Sequence, residues 1–225
     1  MTGRGYWIGR HAHRAVLLAA LLLAAGARPG RAQIFAEGFM GSALSVPLPL
    51  HVTQSGSAEL RFTAKYETRP LEGSPYYAWR IGYWRSRRGW AVGLLHHKLY
   101  LTNAPSAIQR FEVSHGYNLV AVTHGWLHGS SYFGVGGGVV IAHPETVVRG
   151  RTTPADGGPL GGGYYLTGPS LQGAAGRYVL LTSFLALALE AGASASRARL
   201  PVAGGHANVP NLAMHFHVGL KLHRG

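Results

Sequence analysis

Three short segments gather the residues able to do chemistry. Leu95-His96-His97-Lys98-Leu99-Tyr100, Phe111-Glu112-Val113-Ser114-His115-Gly116-Tyr117-Asn118 and Ile141-Ala142-His143-Pro144-Glu145 bring four imidazoles, a serine hydroxyl and two carboxylates into one stretch of chain. A hydroxyl beside an imidazole, with a carboxylate to orient the ring, is the minimum apparatus for activating a serine nucleophile. The candidate catalytic residues are therefore Ser114, His96, His115, Glu112, His143 and Glu145. If the first two segments form a hairpin about Thr102 to Ala107, His96 falls opposite Glu112 or Ser114. Either register puts His96 and Ser114 on one face, with their side chains expected within about 3–5 Å. Alternation puts His115 on the other face, so a Ser114–His115 dyad needs a bulge. His97, His115 and His143, with Glu145 nearby, form a second set expected on the outward face.

Each of these has a plainer reading. The chain has 13 histidines, so some clustering arises by chance, and a single histidine is more often a hydrogen-bonded structural residue than a catalyst. A zinc site could be drawn from His96, His97, His115 and His143, but no HxxxH or HxH spacing with a third fixed ligand stands there. His215-x-His217 offers only two ligands, and no metal and no cofactor is assigned. Gly134, Gly136, Gly137 and Gly138 lack the Lys-Ser or Lys-Thr of a phosphate loop and lie between Phe133 and Val139, where glycine admits close packing.

The elements that must position these residues read as strands. Leu212, Met214, Phe216, Val218, Leu220 and Leu222 alternate with Ala213, His215, His217, Gly219, Lys221 and His223. A strand patterned in this way lies with one face in hydrocarbon or a core and the other in a polar space. Leu60, Phe62, Ala64 and Tyr66 repeat the pattern, and the two segments are expected to be neighbours closing one barrel. Eight strands are expected at about 59–68, 76–85, 89–101, 108–122, 132–147, 165–176, 177–196 and 212–223. The fold class is all-β, an eight-stranded antiparallel transmembrane β-barrel that follows a signal peptide. Short connectors at Ser86 to Arg88 and Gly173 to Arg177 would face the periplasm, with His124 to Ser131 a longer one. Pro144 to Gly163 and Arg197 to Pro210 would be outer loops.

Compartment follows from the first residues. Arg4, Arg10 and Arg14 precede an apolar run from Ala15 to Ala25, and Gly30 and Ala32 supply the small residues a signal peptidase reads. That run is far shorter than the roughly 20 residues a membrane-spanning helix needs. The expected division is a signal peptide over 1–32, a periplasmic lead-in over 33–58 and an outer-membrane barrel over 59–225, the piece before Glu59, with Pro47 and Pro49, reading as that lead-in or as a ninth partial strand. Cleavage removes five of the 21 basic residues and none of the eight acids, leaving a formal charge of about +8. Arg69, Arg149, Arg151, Arg197 and Arg199 are dispersed without an aromatic nucleic-acid module, so no nucleic-acid partner is expected. The expected partners are outer-membrane lipids, with lipopolysaccharide a candidate through arginine–phosphate contacts. With no cysteine, neither disulfides nor thiolate chemistry is available.

In this architecture, and in the histidine, serine and glutamate of residues 95–145, the chain resembles the small outer-membrane barrels that edit lipid A, the deacylase and palmitoyltransferase families. The resemblance implies an eight-stranded barrel with a serine–histidine–acid arrangement near the outer leaflet. The deacylases place His and Ser two positions apart on one strand, whereas Ser114 and His115 are consecutive. Two functions are expected from these observations. One is a lipid A or phospholipid acyl-ester hydrolase or transferase, in which Ser114 or an activated water attacks, His96 or His115 is the base and Glu112 or Glu145 orients it. The other is a non-catalytic barrel that stabilises the envelope or binds a ligand at the cell surface. An eight-stranded barrel has an interior filled by side chains and not an open channel, which argues against a porin.

Overall fold

The computed structural model describes residues 32–154 and 156–223. These form strands and turns throughout, with no helix among the described residues. In chain order the strands are β1 (Ala32–Ser45), β2 (Leu48–Gln54), β3 (Leu60–Ala64), β4 (Tyr66–Glu67), β5 (Tyr77–Arg85), β6 (Arg88–Leu101) and β7 (Ile108–His128). They continue as β8 (Ser131–Ala142), β9 (Glu145–Val148), β10 (Arg151–Thr152), β11 (Tyr165–Leu180), β12 (Leu185–Val202) and β13 (Gly205–His223). The expected signal peptide, 1–32, lies outside the described residues except for Ala32.

Antiparallel ladders run from β1 through β5, β6, β7, β8, β11, β12 and β13, and β13 pairs back onto β1. Eight strands therefore satisfy each other's backbone groups around a ring, which hydrocarbon requires of any spanning sheet. The outward face is an apolar belt that includes Met40, Ile81, Val122, Val135, Leu171 and Leu189. On β13 the alternation falls as the sequence predicts: Leu212, Phe216 and Leu220 are exposed, and His215, His217 and Lys221 are buried. An apolar exterior of this extent is stable only in lipid. The protein is an outer-membrane β-barrel.

The first strand of the ring is not the predicted one. β1, Ala32–Ser45, lies mostly within the segment expected as a lead-in or a ninth partial strand, and it pairs along its length with β13 (Ser42 opposite Phe216) and with β5 (Gly38 opposite Trp79). Its inward positions are Phe35, Glu37 and Phe39, while Ala36 and Gly38 face out. Large apolar residues thus sit on the wrong parity for a simple hydropathy alternation, which hides the strand. The expected strand at 59–68 becomes β3 and β4, short pieces above the ring that pair with β2 and β6. Leu60 and its neighbours therefore do not adjoin the 212–222 segment.

Two further boundaries move. β11 runs unbroken through Gly173–Arg177, and the chain turns instead at Leu181–Phe184, where Leu181 and Thr182 donate to the Leu185 carbonyl. The expected outer loop at Arg197–Pro210 is a continued β12–β13 ladder that turns at Ala203–Gly204. The inner connector at His124–Ser131 contracts to a turn at Gly129–Ser130. The β5–β6, β7–β8 and β11–β12 turns at one end are short, while the β1–β5, β6–β7 and β8–β11 connections at the other are longer, the pattern of periplasmic and extracellular ends.

The interior is filled, in two layers. Toward the extracellular end Leu50, Val52, Leu99, Val113, Leu200 and Val209 form a dry core between the extended strands. Below it lies a polar chain. Ser194 Oγ is 2.7 Å from His215 Nε2, and the Tyr76 hydroxyl bridges His215 Nδ1 (2.8 Å) and His217 Nε2 (2.9 Å). His217 Nδ1 donates to Glu190 at 2.9 Å, Tyr132 donates to the same carboxylate at 2.8 Å, and Arg80 joins Glu190 (2.6 Å) to Glu37 (2.7 Å). Tyr178 donates to Glu37 at 2.5 Å. Buried charges of both signs are thus paired and hydrogen-bonded, the condition under which burial is tolerable.

Candidate active site

Two irregularities meet at the extracellular edge of the ring. In the β6–β7 ladder His97 is opposite Tyr117 and Leu99 opposite Val113, so Ser114, His115 and Gly116 together face only Lys98. This bulge turns on Gly116, whose φ of 125° is a left-handed-side conformation that a side chain resists. A Cβ at Gly116 would also overlap the Asn118 amide. On the neighbouring strand, Pro144 lacks the N–H needed to continue a ladder, and β8 gives way to β9 across His143-Pro144. The His143 N–H donates to the Gly116 carbonyl at 3.1 Å, holding the two interruptions side by side.

The bulge removes the obstacle that strict alternation placed before Ser114 and His115. Ser114 Oγ donates to Glu145 Oε1 at 2.8 Å and lies 3.3 Å from His115 Nδ1. His115 Nδ1 also pairs with Glu145 Oε1. The other Glu145 oxygen accepts from Arg110 at 2.5 Å, and Arg110 also reaches Glu112 at 3.0 Å. Glu112 and Glu145 face each other across the β7–β9 ladder, so the guanidinium relieves their repulsion. The His143 ring sits 5.1 Å from that of His115, with its Nδ1 buried and unpartnered. Tyr164 packs edge-on against His143 at 5.1 Å and donates to the His115 carbonyl at 2.9 Å.

Burial alone would raise the Glu145 carboxyl. The hydrogen bonds from Ser114 and His115 and the Arg110 charge outweigh it and hold the group below the usual carboxylate value, so it is ionised at neutral pH. Burial and the neighbouring His115 both push the His143 imidazole down, toward its neutral form.

Two expectations fail here. His96 is opposite Asn118, not Glu112 or Ser114; its Nδ1 bonds to Asn118 Oδ1 at 2.8 Å and its ring stacks on Tyr77 at 4.8 Å. The loop-side register, with Leu99 opposite Val113, already runs toward Gly116 for His96, and the bulge shifts β7 two residues further to Asn118. His97 is not outward but fully buried, 5.3 Å from His215 and edge-on to Tyr76. A four-histidine set of His96, His97, His115 and His143 is therefore not formed.

His96 nevertheless shares a groove with His115. The groove encloses about 340 Å³ and is lined by Ser74, Tyr77, His96, His115, Asn118 and Tyr164 at its polar end and by Leu94, Val120 and Ile141 toward the lipid belt. Asn118, Tyr164 and Arg110 were not among the predicted site residues. Arg110 could have been suspected from its two-residue spacing to Glu112, which places both on one strand face. Tyr164 arrives from the far end of a long connection and leaves no local signal.

No family model matches the chain, and no curated protein does. Among solved structures, Neisserial surface protein A is 12% identical with a TM-score of 0.40, over 85% of this chain and 96% of that one. The solid-state NMR structure of the outer-membrane protein AlkL in lipid bilayers is 14% identical with a TM-score of 0.47, over 88% and 93%. Ail, the attachment invasion locus protein of Yersinia pestis, is 9% identical with a TM-score of 0.39, over 86% and 99%. The placement of this chain in an outer membrane rests on its own ring of ladders and apolar belt.

Proposed function

We propose that the protein hydrolyses an acyl ester of an outer-leaflet lipid, lipid A or a phospholipid, in the groove beside His115. The observation that carries this reading is one groove in which a Glu145-anchored imidazole and an Asn–His pair stand directly above lipid-facing Leu94, Val120 and Ile141. A lipid lying against the barrel would set its acyl chain on the apolar end and its ester among the polar groups.

The geometry favours activated water over Ser114 as the nucleophile. In a serine triad the hydroxyl and the acid occupy opposite imidazole nitrogens. Here both lie at His115 Nδ1, and the Ser114 proton is directed to Glu145. His115 Nε2 is left to take a proton from water as the oxygen attacks the ester carbonyl. The same proton then passes to the departing alkoxide, giving a free fatty acid and an alcohol. Glu145 fixes the tautomer that leaves Nε2 basic and stabilises the imidazolium, and Arg110 holds Glu145 in place. The Asn118 amide N–H group, oriented by His96, is placed to donate to the developing oxyanion.

The test is release of fatty acid from vesicles of defined lipid by the refolded barrel. His115→Gln and Asn118→Ala should each abolish it with the barrel folded, and Ser114→Ala should retain most of it. Absence of release from lipid A and phospholipid vesicles alike would leave the second reading, a surface-binding barrel. The specific observation for that alternative is the wall of β2, β3, β9, β12 and β13 raised above the belt on a dry core.

A further inference from the structure

We infer that His115, His143 and Glu145 form a three-ligand site for a divalent transition ion. One ligand atom from each lies within 4.8 Å of the others, so two imidazoles and one carboxylate already converge from the β7 bulge and the β8–β9 junction. This inference concerns the same cluster as the proposed hydrolysis but does not depend on it, because ion binding requires only the ligand set.

Four features of the surroundings support a cation of the zinc class. The buried Nδ1 of His143 has no hydrogen-bond partner, an arrangement that costs free energy unless something accepts its lone pair or its proton. Its ring is pinned by Tyr164 and its backbone by Gly116, so the imidazole is held in place before any ion arrives. The Glu145 carboxylate has Arg110 on its outer oxygen and Ser114 on the inner one, the kind of outer partner that orients a ligating carboxylate. His115 is more than half exposed and gives the ion a path from the extracellular side. Mixed imidazole and carboxylate donors suit zinc, cobalt, nickel or iron more than magnesium or calcium, which take oxygen. Three protein ligands leave a coordination position open.

Ligand atoms up to 4.8 Å apart must close somewhat around an ion with bonds of about 2.0–2.1 Å. The exposed His115 side chain is free to make that adjustment. Glu145 would exchange its contact with His115 for the ion, while Arg110 keeps the second oxygen.

The test uses the refolded full-length mature barrel, stripped with chelator and titrated with Co²⁺ by visible absorption and with Zn²⁺ by calorimetry. One ion per barrel should bind, with d–d bands in the visible for Co²⁺ and competition by Zn²⁺. Removal of an outer partner commonly weakens a metal site by about 10–100-fold, so Arg110→Met should fall in that range and His143→Ala should cost at least as much. Heat-modifiable migration on gels shows whether each variant is folded, and His143→Gln serves if His143→Ala is not. Wild-type protein that takes up neither ion overturns the inference regardless of any variant. So does binding that His143 and Glu145 substitutions leave unchanged. Fatty-acid release measured on the same stripped protein separates the two ideas: ion uptake without hydrolysis sinks the proposed activity alone, and hydrolysis without ion uptake sinks the metal site alone.

Discussion

Removing Arg80 should be among the most damaging single changes available to this barrel. Its guanidinium lies 2.7 Å from Glu37 and 2.6 Å from Glu190, whose side chains are 1% and 4% exposed. Arg80→Met keeps an apolar stem over the Phe39 ring but leaves two carboxylates in the interior without their counter-charge. Breaking a buried ion pair in this way costs about 3–5 kcal/mol. The hydrogen bonds from Tyr178 to Glu37 and from Tyr132 and His217 to Glu190 remain and keep the loss from doubling. Urea unfolding of the barrel in vesicles, followed by tryptophan fluorescence, should therefore show a loss of about 3–5 kcal/mol. Adding Glu37→Gln and Glu190→Gln should recover most of it, because the penalty lies in unpaired charge and not in lost packing. A single-variant loss under about 1 kcal/mol, or a triple variant no more stable than Arg80→Met, would refute the reasoning.

Other changes probe different parts of the account. Phe216→Arg on the lipid face should cost about 2–4 kcal/mol if the residue lies near the bilayer midplane, and ready tolerance of it would argue against a membrane-facing β13. Gly138→Ala should destabilise the β7–β8 ladder, since a Cβ there would overlap the Val120 carbonyl oxygen; an unchanged urea midpoint would contradict the close approach. An epitope inserted near Asp156 should be labelled on intact cells, and labelling only after permeabilisation would invert the topology. The stability that ionised Glu145 contributes should be complete above the ordinary carboxylate pKa of about 4.3 and disappear as pH falls through its lowered folded value. The gap in unfolding free energy between wild type and Glu145→Gln should accordingly narrow on acidification, and a gap that widens would contradict the pairing.

The final strand was legible because its parity matches its environment: leucines, a valine and a phenylalanine meet lipid while His215, His217 and Lys221 meet the interior network. β1 was not, because its phenylalanines point inward beside Glu37 and its outward positions include alanine and glycine. The interior charges Glu37, Arg80 and Glu190 are scattered singly over three strands, and only the ring of ladders brings them together. At the site, the clustering of His115, His143, Glu145 and Ser114 could be anticipated from composition along the neighbouring strand ends. Their contact could not, because it arises from a bulge at Ser114–Gly116 and a proline break at Pro144 that a two-residue period does not encode. The same bulge moved His96 by two residues: the loop-side register of Leu99 opposite Val113 would set it against Gly116, and the bulge sets it against Asn118.

Lipid mass spectrometry of cells that produce wild-type protein, His115→Gln, Glu145→Gln or no barrel tests the central claim most directly. The account predicts that wild-type cells alone carry outer-leaflet lipid A or phospholipid lacking one ester-linked acyl chain, with the variants folded in the outer membrane and their lipids matching those of cells without the protein. Identical lipid profiles in all four strains, with the wild-type barrel folded and present at the surface, would contradict it.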